Sequence, residues 1–182
     1  LEFRRVLFRS RGTESYAQRN LLYRNQLRET GEARFEEVGA TAGDGMAILE
    51  SSRGAVRGDY DNDGDIDLLV TNIDSVPSLI RNDTPMVYPS LRVTLVGRAA
   101  NRSAYGATVI ISSGGVRQRF ELRDSDGYAG ANDARLIAFL PGGVADTVEI
   151  RWPGGGTTTL SEQGPGSILV DQQRGLVARA DR

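Results

Sequence analysis

The sequence predicts an all-β protein, and three features carry that expectation: short runs alternating apolar and polar residues, Gly and Pro clusters between them, and no convincing amphipathic helix. With 22 Gly and 6 Pro among 182 residues, breakers recur often enough to hold each run to strand length. The second half reads as a compact β-sandwich or barrel of five or six strands.

Composition narrows the chemistry. The chain has 22 basic residues, all of them Arg, and 24 acidic ones, with no His and no Cys. Imidazole and thiol catalysis, His or Cys metal sites, disulfides and lysine Schiff bases are thereby excluded. The segment Leu1-Glu2-Phe3-Arg4-Arg5-Val6-Leu7-Phe8-Arg9-Ser10 resembles the translation of a synthetic sequencing-adaptor oligonucleotide, and residues 1–10 are set aside on that reading. Removing its three Arg and one Glu from 22 and 24 leaves 19 basic against 23 acidic residues, a net of −4, which disfavours nucleic acid as a partner. No apolar run approaches the roughly twenty residues of a membrane-spanning helix.

In chain order, Asn20–Asn25 is a short apolar run between amides and Arg34–Val38 alternates as a half-buried strand. A breaker cluster, Ala40–Gly45, precedes Gly54-Ala55-Val56-Arg57-Gly58, which runs into the acidic stretch Asp59-Tyr60-Asp61-Asn62-Asp63-Gly64-Asp65-Ile66-Asp67. Beyond it Ile66, Leu68 and Val70 share one strand face, so Asp67 points to the other, toward the loop. Leu21–Asn25 and Ser78–Asn82 form a faint repeat 57 positions apart, a period of the order found in propeller blades and solenoids. Further strands are expected at Leu91–Val96, at Ala107–Ile111 and Val116–Leu122 as a hairpin across a Gly-rich turn, and at Thr147–Trp152, Thr157–Leu160 and Ser167–Val170. Residues 174–182 read as a polar tail.

The acidic stretch is where the chain departs from ordinary globular composition. Five carboxylates, Asp59, Asp61, Asp63, Asp65 and Asp67, fall on alternate positions and repel one another unless a cation sits among them. Hard oxygen donors at this spacing suit Ca²⁺, and Gly64 supplies the sharp turn of such a loop. An EF-hand needs a bidentate Glu at the twelfth position and flanking helices; counted from Asp59 that position is Val70, in a strand-like run.

The phrase Gly58–Val70 followed by Ser78-Leu79-Ile80-Arg81-Asn82 resembles the FG-GAP, or VCBS-type, repeat of β-propellers. That resemblance implies a blade loop in which Asp59, Asp61, Asp63 and Asp67 bind Ca²⁺ through side chains and Asp65 through its backbone carbonyl, the ion being structural and not catalytic. The later segments Leu91–Gly97, Asn101–Ala107, Gly127-Tyr128 and Val148–Gly155 resemble the ASPIC/UnbV domain that follows FG-GAP repeats in cartilage acidic protein and many bacterial secreted proteins. Where that family usually has a His-Phe-Gly-Leu-Gly-like turn this chain has Ala138-Phe139-Leu140-Pro141-Gly142, and no settled activity carries over. The implied organisation is a partial propeller-blade region over 11–85, truncated upstream, an ASPIC/UnbV-like β domain over 86–173 and the tail. The implied location is secreted, periplasmic or cell-surface.

Weaker candidates remain. Asp124-Ser125-Asp126-Gly127 with Asp133 forms either a second cation loop or an Asx-type turn. Asn82-Asp83-Thr84 and Asn101-Arg102-Ser103 fit the glycosylation pattern, Arg57, Arg81 and Arg102 are candidate partners for the surplus acids, and Trp152 is either core or a carbohydrate platform. Two function classes follow. The first is a calcium-stabilised, non-catalytic binding or adhesion module for a protein or carbohydrate ligand. The second is a hydrolase using a carboxylate pair, against which stands the absence of any dense pair outside the loop.

Overall fold

Strand-forming runs between Gly- and Pro-rich turns assemble into fifteen strands in the described residues, with one four-residue α-helix and two short 3-10 turns. The computed structural model describes residues 16–180, and the adaptor-like segment lies outside them. None of the described helices is long and apolar enough to cross a membrane. The chain divides into two compact units, and the division does not follow chain order: the described part of Leu1–Ala55 groups with Leu69–Arg81, and Val56–Leu68 groups with the described part of Asn82–Arg182.

The first unit is built from small pieces. Strand β1 (Gln18–Arg19) pairs with β4 (Leu49–Glu50), and β2 (Tyr23–Asn25) with β3 (Phe35–Glu37), helix α1 (Leu27–Thr30) lying between β2 and β3. Strands β5 (Ser52–Gly58), β6 (Asp67–Asn72) and β7 (Ser78–Ile80) form a three-stranded sheet, the first two continuing along the chain into the second unit. Both members of the five-residue repeat contain a strand, β2 and β7. The half-buried strand expected at Arg34–Val38 is present but leaves Phe35 and Glu36 exposed; Glu37 is turned toward Arg19 at 2.9 Å. Met46 and Val70 are the fully buried apolar side chains of this unit among the described residues. Its core is correspondingly small.

The second unit contains a two-sheet sandwich. One sheet has the order β10-β9-β12-β13 and the other β11-β8-β14-β15, with β8 (Ser90–Val96), β9 (Thr108–Ser113), β10 (Val116–Glu121), β11 (Leu136–Phe139), β12 (Ala145–Arg151), β13 (Thr157–Gln163), β14 (Gly166–Asp171) and β15 (Gly175–Ala180). Alternation places Leu91, Val93 and Leu95 of β8, Val109 and Ile111 of β9, Val148 and Ile150 of β12, and Ile168 and Val170 of β14 in one apolar core. Trp152 joins that core at 5% exposure and its Nε1–H donates to Thr158 Oγ1 at 2.9 Å, so it is a packing residue. The expected hairpin closes across Gly114 and Gly115, both at positive φ (53° and 78°), the geometry of a two-residue primed turn.

Two strands of the sandwich escaped the sequence reading, as did the two-residue strands β1 and β4 of the first unit. Leu136–Phe139 forms β11, and Gly175–Ala180, read as tail, forms the edge strand β15 against β14. An edge strand that buries little carries little hydrophobic signal, and β15 is exposed along most of its length. The turn into it is fixed by Asp171. One of its oxygens accepts from the backbone N–H groups of Gln173 (2.9 Å) and Arg174 (3.3 Å), the other from Arg98 Nε at 2.9 Å.

Arg98 and these N–H groups hold the Asp171 carboxyl down at about 2, below the roughly 3.9 of an unfolded Asp. A depressed carboxylate stabilises above the unfolded value, and that contribution is lost as pH falls through the folded one. The melting temperature of the wild type is therefore expected to drop more steeply between pH 4 and pH 2 than that of Asp171→Asn. Parallel acid profiles for the two proteins would contradict the assignment.

Candidate metal centre

Strand β5 ends at Gly58 and β6 begins at Asp67, so residues 59–66 must turn the chain within one short loop. Two Asx-type hydrogen bonds shape it, Asp61 Oδ1 accepting from Asp63 N–H (3.3 Å) and Asp63 Oδ1 from Asp65 N–H (3.0 Å), and Asp59 Oδ2 spans the loop to accept from Gly64 N–H (3.2 Å). Asn62 and Gly64 take left-handed conformations, φ 63° and 101°; the second is a value that an L side chain rarely adopts, and Gly64 meets it without strain. Asp67 closes the loop, its two oxygens accepting from Tyr60 N–H and Asn82 N–H, each at 2.8 Å.

The structure brings three of the five expected ligands together. Asp59, Asp61 and Asp67 each offer a carboxylate oxygen within 4.8 Å of the others, and these are the members of the acidic cluster found among the described residues. The Asp63 and Asp65 carboxylates stand outside that triad. Asp59, Asp65 and Asp67 are buried, at 1%, 3% and 2% exposure, whereas Asp61 is exposed.

Burial of so much like charge leaves marks. Asp59 Oδ1 and Asp65 Oδ1 are buried with no hydrogen-bond partner among the described residues. Burial, reinforced by the charges of Asp63, Asp67, Asp61 and Asp59, pushes the Asp65 carboxyl up to about 7. An oxygen in that position is costly unless something electropositive meets it. Three converging carboxylates, an unshared buried oxygen and no nitrogen or sulfur donor could hold a hard divalent cation.

Two arginines that the sequence reading did not single out hold this loop. Arg92, on the face of β8 opposite the core, is 8% exposed; its Nη1 donates to Asp59 Oδ2 at 3.1 Å and to the Asn62 carbonyl at 2.9 Å. Arg135, just before β11, donates to the Asp59 carbonyl (2.7 Å), Asn62 Oδ1 (2.6 Å) and Asp133 Oδ2 (2.7 Å). Burial pushes the Asp133 carboxyl up, and the hydrogen bonds and charge of Arg135 more than offset it, leaving it below the usual range. Arg57, which was singled out, goes elsewhere, its Nε meeting Asp126 Oδ2 at 3.1 Å with Asn132 Nδ2 on the same oxygen at 2.9 Å. Asp126 and Asp133 are thus each bound by a guanidinium, and they do not join the acidic cluster. The one local signal for Arg92 was a long cation among the alternate positions that Ser90 and Thr94 share with it.

A protein-family comparison bears on the sandwich. Residues 97–174 match the ASPIC and UnbV family model. The ASPIC and UnbV match takes in the expected segments Asn101–Ala107, Gly127-Tyr128 and Val148–Gly155, with β9 through β14 and Arg135. The acidic loop and Arg92 lie outside it. A comparison of the chain with curated proteins found no match.

Proposed function

We propose that this chain is a non-catalytic, calcium-stabilised binding module, in which a Ca²⁺ ion held by the acidic loop fixes the loop against the strands that flank it. The carboxylates of Asp59, Asp61 and Asp67 are the side-chain ligands brought together, with Asp63 and the Asp65 carbonyl completing the set in the FG-GAP-like reading. The observation that carries this reading is the buried, unpartnered Asp59 Oδ1 within the cluster, since a cation meets the need that no protein donor meets.

The partial-blade reading of the first unit belongs with it. Its support is the resemblance of Gly58–Asn82 to an FG-GAP repeat and a small β5-β6-β7 sheet that leaves Ile73, Val76 and Leu79 exposed, as a blade does where neighbouring blades normally cover it. On this reading the protein works outside the cytoplasm, at the cell surface, in the periplasm or secreted, and its ligand is a protein or a carbohydrate. Against a carboxylate-based hydrolase, Asp126, Asp133 and Asp171 outside the loop each sit in an ion pair with Arg.

Calorimetric melts with calcium and with chelator test the reading. Saturating Ca²⁺ is expected to stabilise the wild type, by about 2.7 kcal/mol at a hundredfold excess over Kd. The double variant Asp61→Ala, Asp63→Ala should lose that response while melting within a few degrees of the chelated wild type, because Asp61 is exposed and Asp63 half-buried. A wild-type melt indifferent to both additions would sink the metal assignment.

A further inference from the structure

We propose that Arg92 is a built-in counter-ion of the acidic loop: it holds the loop in its folded shape when no metal is bound, and its charge keeps the loop's cation affinity low. The proposal rests on the calcium reading above and deepens it. Arg92 is 92% removed from solvent on the outward face of β8, and Asp59 is the carboxylate that it reaches, at 3.1 Å. The same Nη1 also caps the Asn62 carbonyl at 2.9 Å, so a single guanidinium nitrogen bridges the first carboxylate of the loop and the residue at its left-handed turn. Its Nε has no partner among the described residues.

The neighbouring arginine differs in one respect. Arg135 also touches the loop, at the Asp59 carbonyl and Asn62 Oδ1, but its charge is shared with Asp133. The field of Arg92 therefore acts on Asp59 without an acid of its own to cancel it.

The two oxygens of the Asp59 carboxylate differ. Oδ2 is taken by Arg92 and Gly64 N–H, and Oδ1 is the oxygen left for a metal. A unit positive charge in hydrogen-bond contact with a ligating carboxylate repels a divalent ion strongly. Even with the screening of bulk water the effect is on the order of tenfold in affinity, and burial enlarges it. The hydrogen bond to Asn62 acts in the opposite sense by pre-forming the loop, at a smaller scale because the Asx-type bonds and Asp67 shape the loop independently.

Titration of the full chain with CaCl₂ by isothermal calorimetry separates charge from geometry. Arg92→Gln is expected to bind Ca²⁺ roughly tenfold more tightly than the wild type, to melt lower in chelator and to show the larger calcium-induced shift. Arg92→Lys retains the charge and should stay within about twofold of the wild-type Kd. Unchanged or weaker binding by Arg92→Gln would overturn the proposal, and so would a tenfold loss in Arg92→Lys, which would make geometry the contribution of Arg92. The Lys variant keeps the test decisive should the Gln variant not fold without the ion. A wild type with no heat of calcium binding would overturn the site assignment and this proposal together, whereas normal wild-type binding with either contrary variant result overturns this proposal alone.

Discussion

Asp59→Ala is expected to destabilise the protein by about 3–5 kcal/mol in chelator and to abolish its calcium response. Two opposing effects decide the first number. Removing one of five crowded carboxylates relieves repulsion with Asp61 and Asp67, whose oxygens converge with its own. Removing the partner of Arg92, by contrast, leaves a guanidinium that is 8% exposed, already lacks a partner at Nε, and keeps only the Asn62 carbonyl. The stranded buried charge wins. Asp61→Ala serves as the control, because Asp61 is exposed: it should lose calcium affinity with little change in chelator. Urea unfolding of both variants, each with calcium and with chelator, reads the contrast directly. Equal stability losses in chelator would show that the Asp59–Arg92 pair contributes nothing.

Trp152→Ala is expected to cost roughly 3–5 kcal/mol, the range for truncating a large aromatic side chain in a packed core. The ring is 5% exposed and belongs to the same apolar core as Val109, Val148 and Ile150, while its N–H is satisfied by Thr158. Trp152→Phe keeps most of the apolar volume and loses that hydrogen bond, so it should cost about 1–2 kcal/mol. Denaturant midpoints for the two variants test the order. An Ala variant as stable as the wild type that had lost affinity for a glycan would restore the carbohydrate-platform alternative.

Much of the sandwich was legible because its strands alternate cleanly. Leu91, Val93 and Leu95 stand at period two, as do Val148, Ile150 and Trp152, and all six are core. The hairpin turn at Gly114-Gly115 was legible for a different reason, since adjacent glycines supply positive φ at both turn positions. Strand β15 was not legible, because an edge strand needs only one partner and need not bury a face.

The acidic loop declared itself through charge spacing alone, but its surroundings did not. Arg92 and Asp59 are 33 positions apart, and nothing local couples them. Arg57, a single residue before Gly58 in the chain, was the nearer candidate and turned instead to Asp126. Sequence proximity ranks ion-pair partners poorly because guanidinium groups are long and the topology decides which carboxylate they can reach. Asp65 shows the same limit: its position in the alternation was plain, yet its burial, and hence its raised affinity for a proton, depends on what covers the loop.

The parallel pairing of β8 with β14 has a consequence for the order of assembly. Leu91 lies opposite Gly166 and Val96 opposite Asp171, so the two central strands of that sheet are separated by most of the sandwich sequence. Five intervening strands must be made before the pair can meet, and contacts of such long separation are the slow ones to form. During synthesis β8 therefore emerges carrying Arg92 on one face and Leu91, Val93 and Leu95 on the other, long before its parallel neighbour exists. Its other contacts are closer in the chain: the acidic stretch, which it meets through the Arg92 side chain, has already been translated, and its antiparallel partner β11 follows about forty residues later. The Asp59–Arg92 pair therefore joins two segments that are both translated before β14.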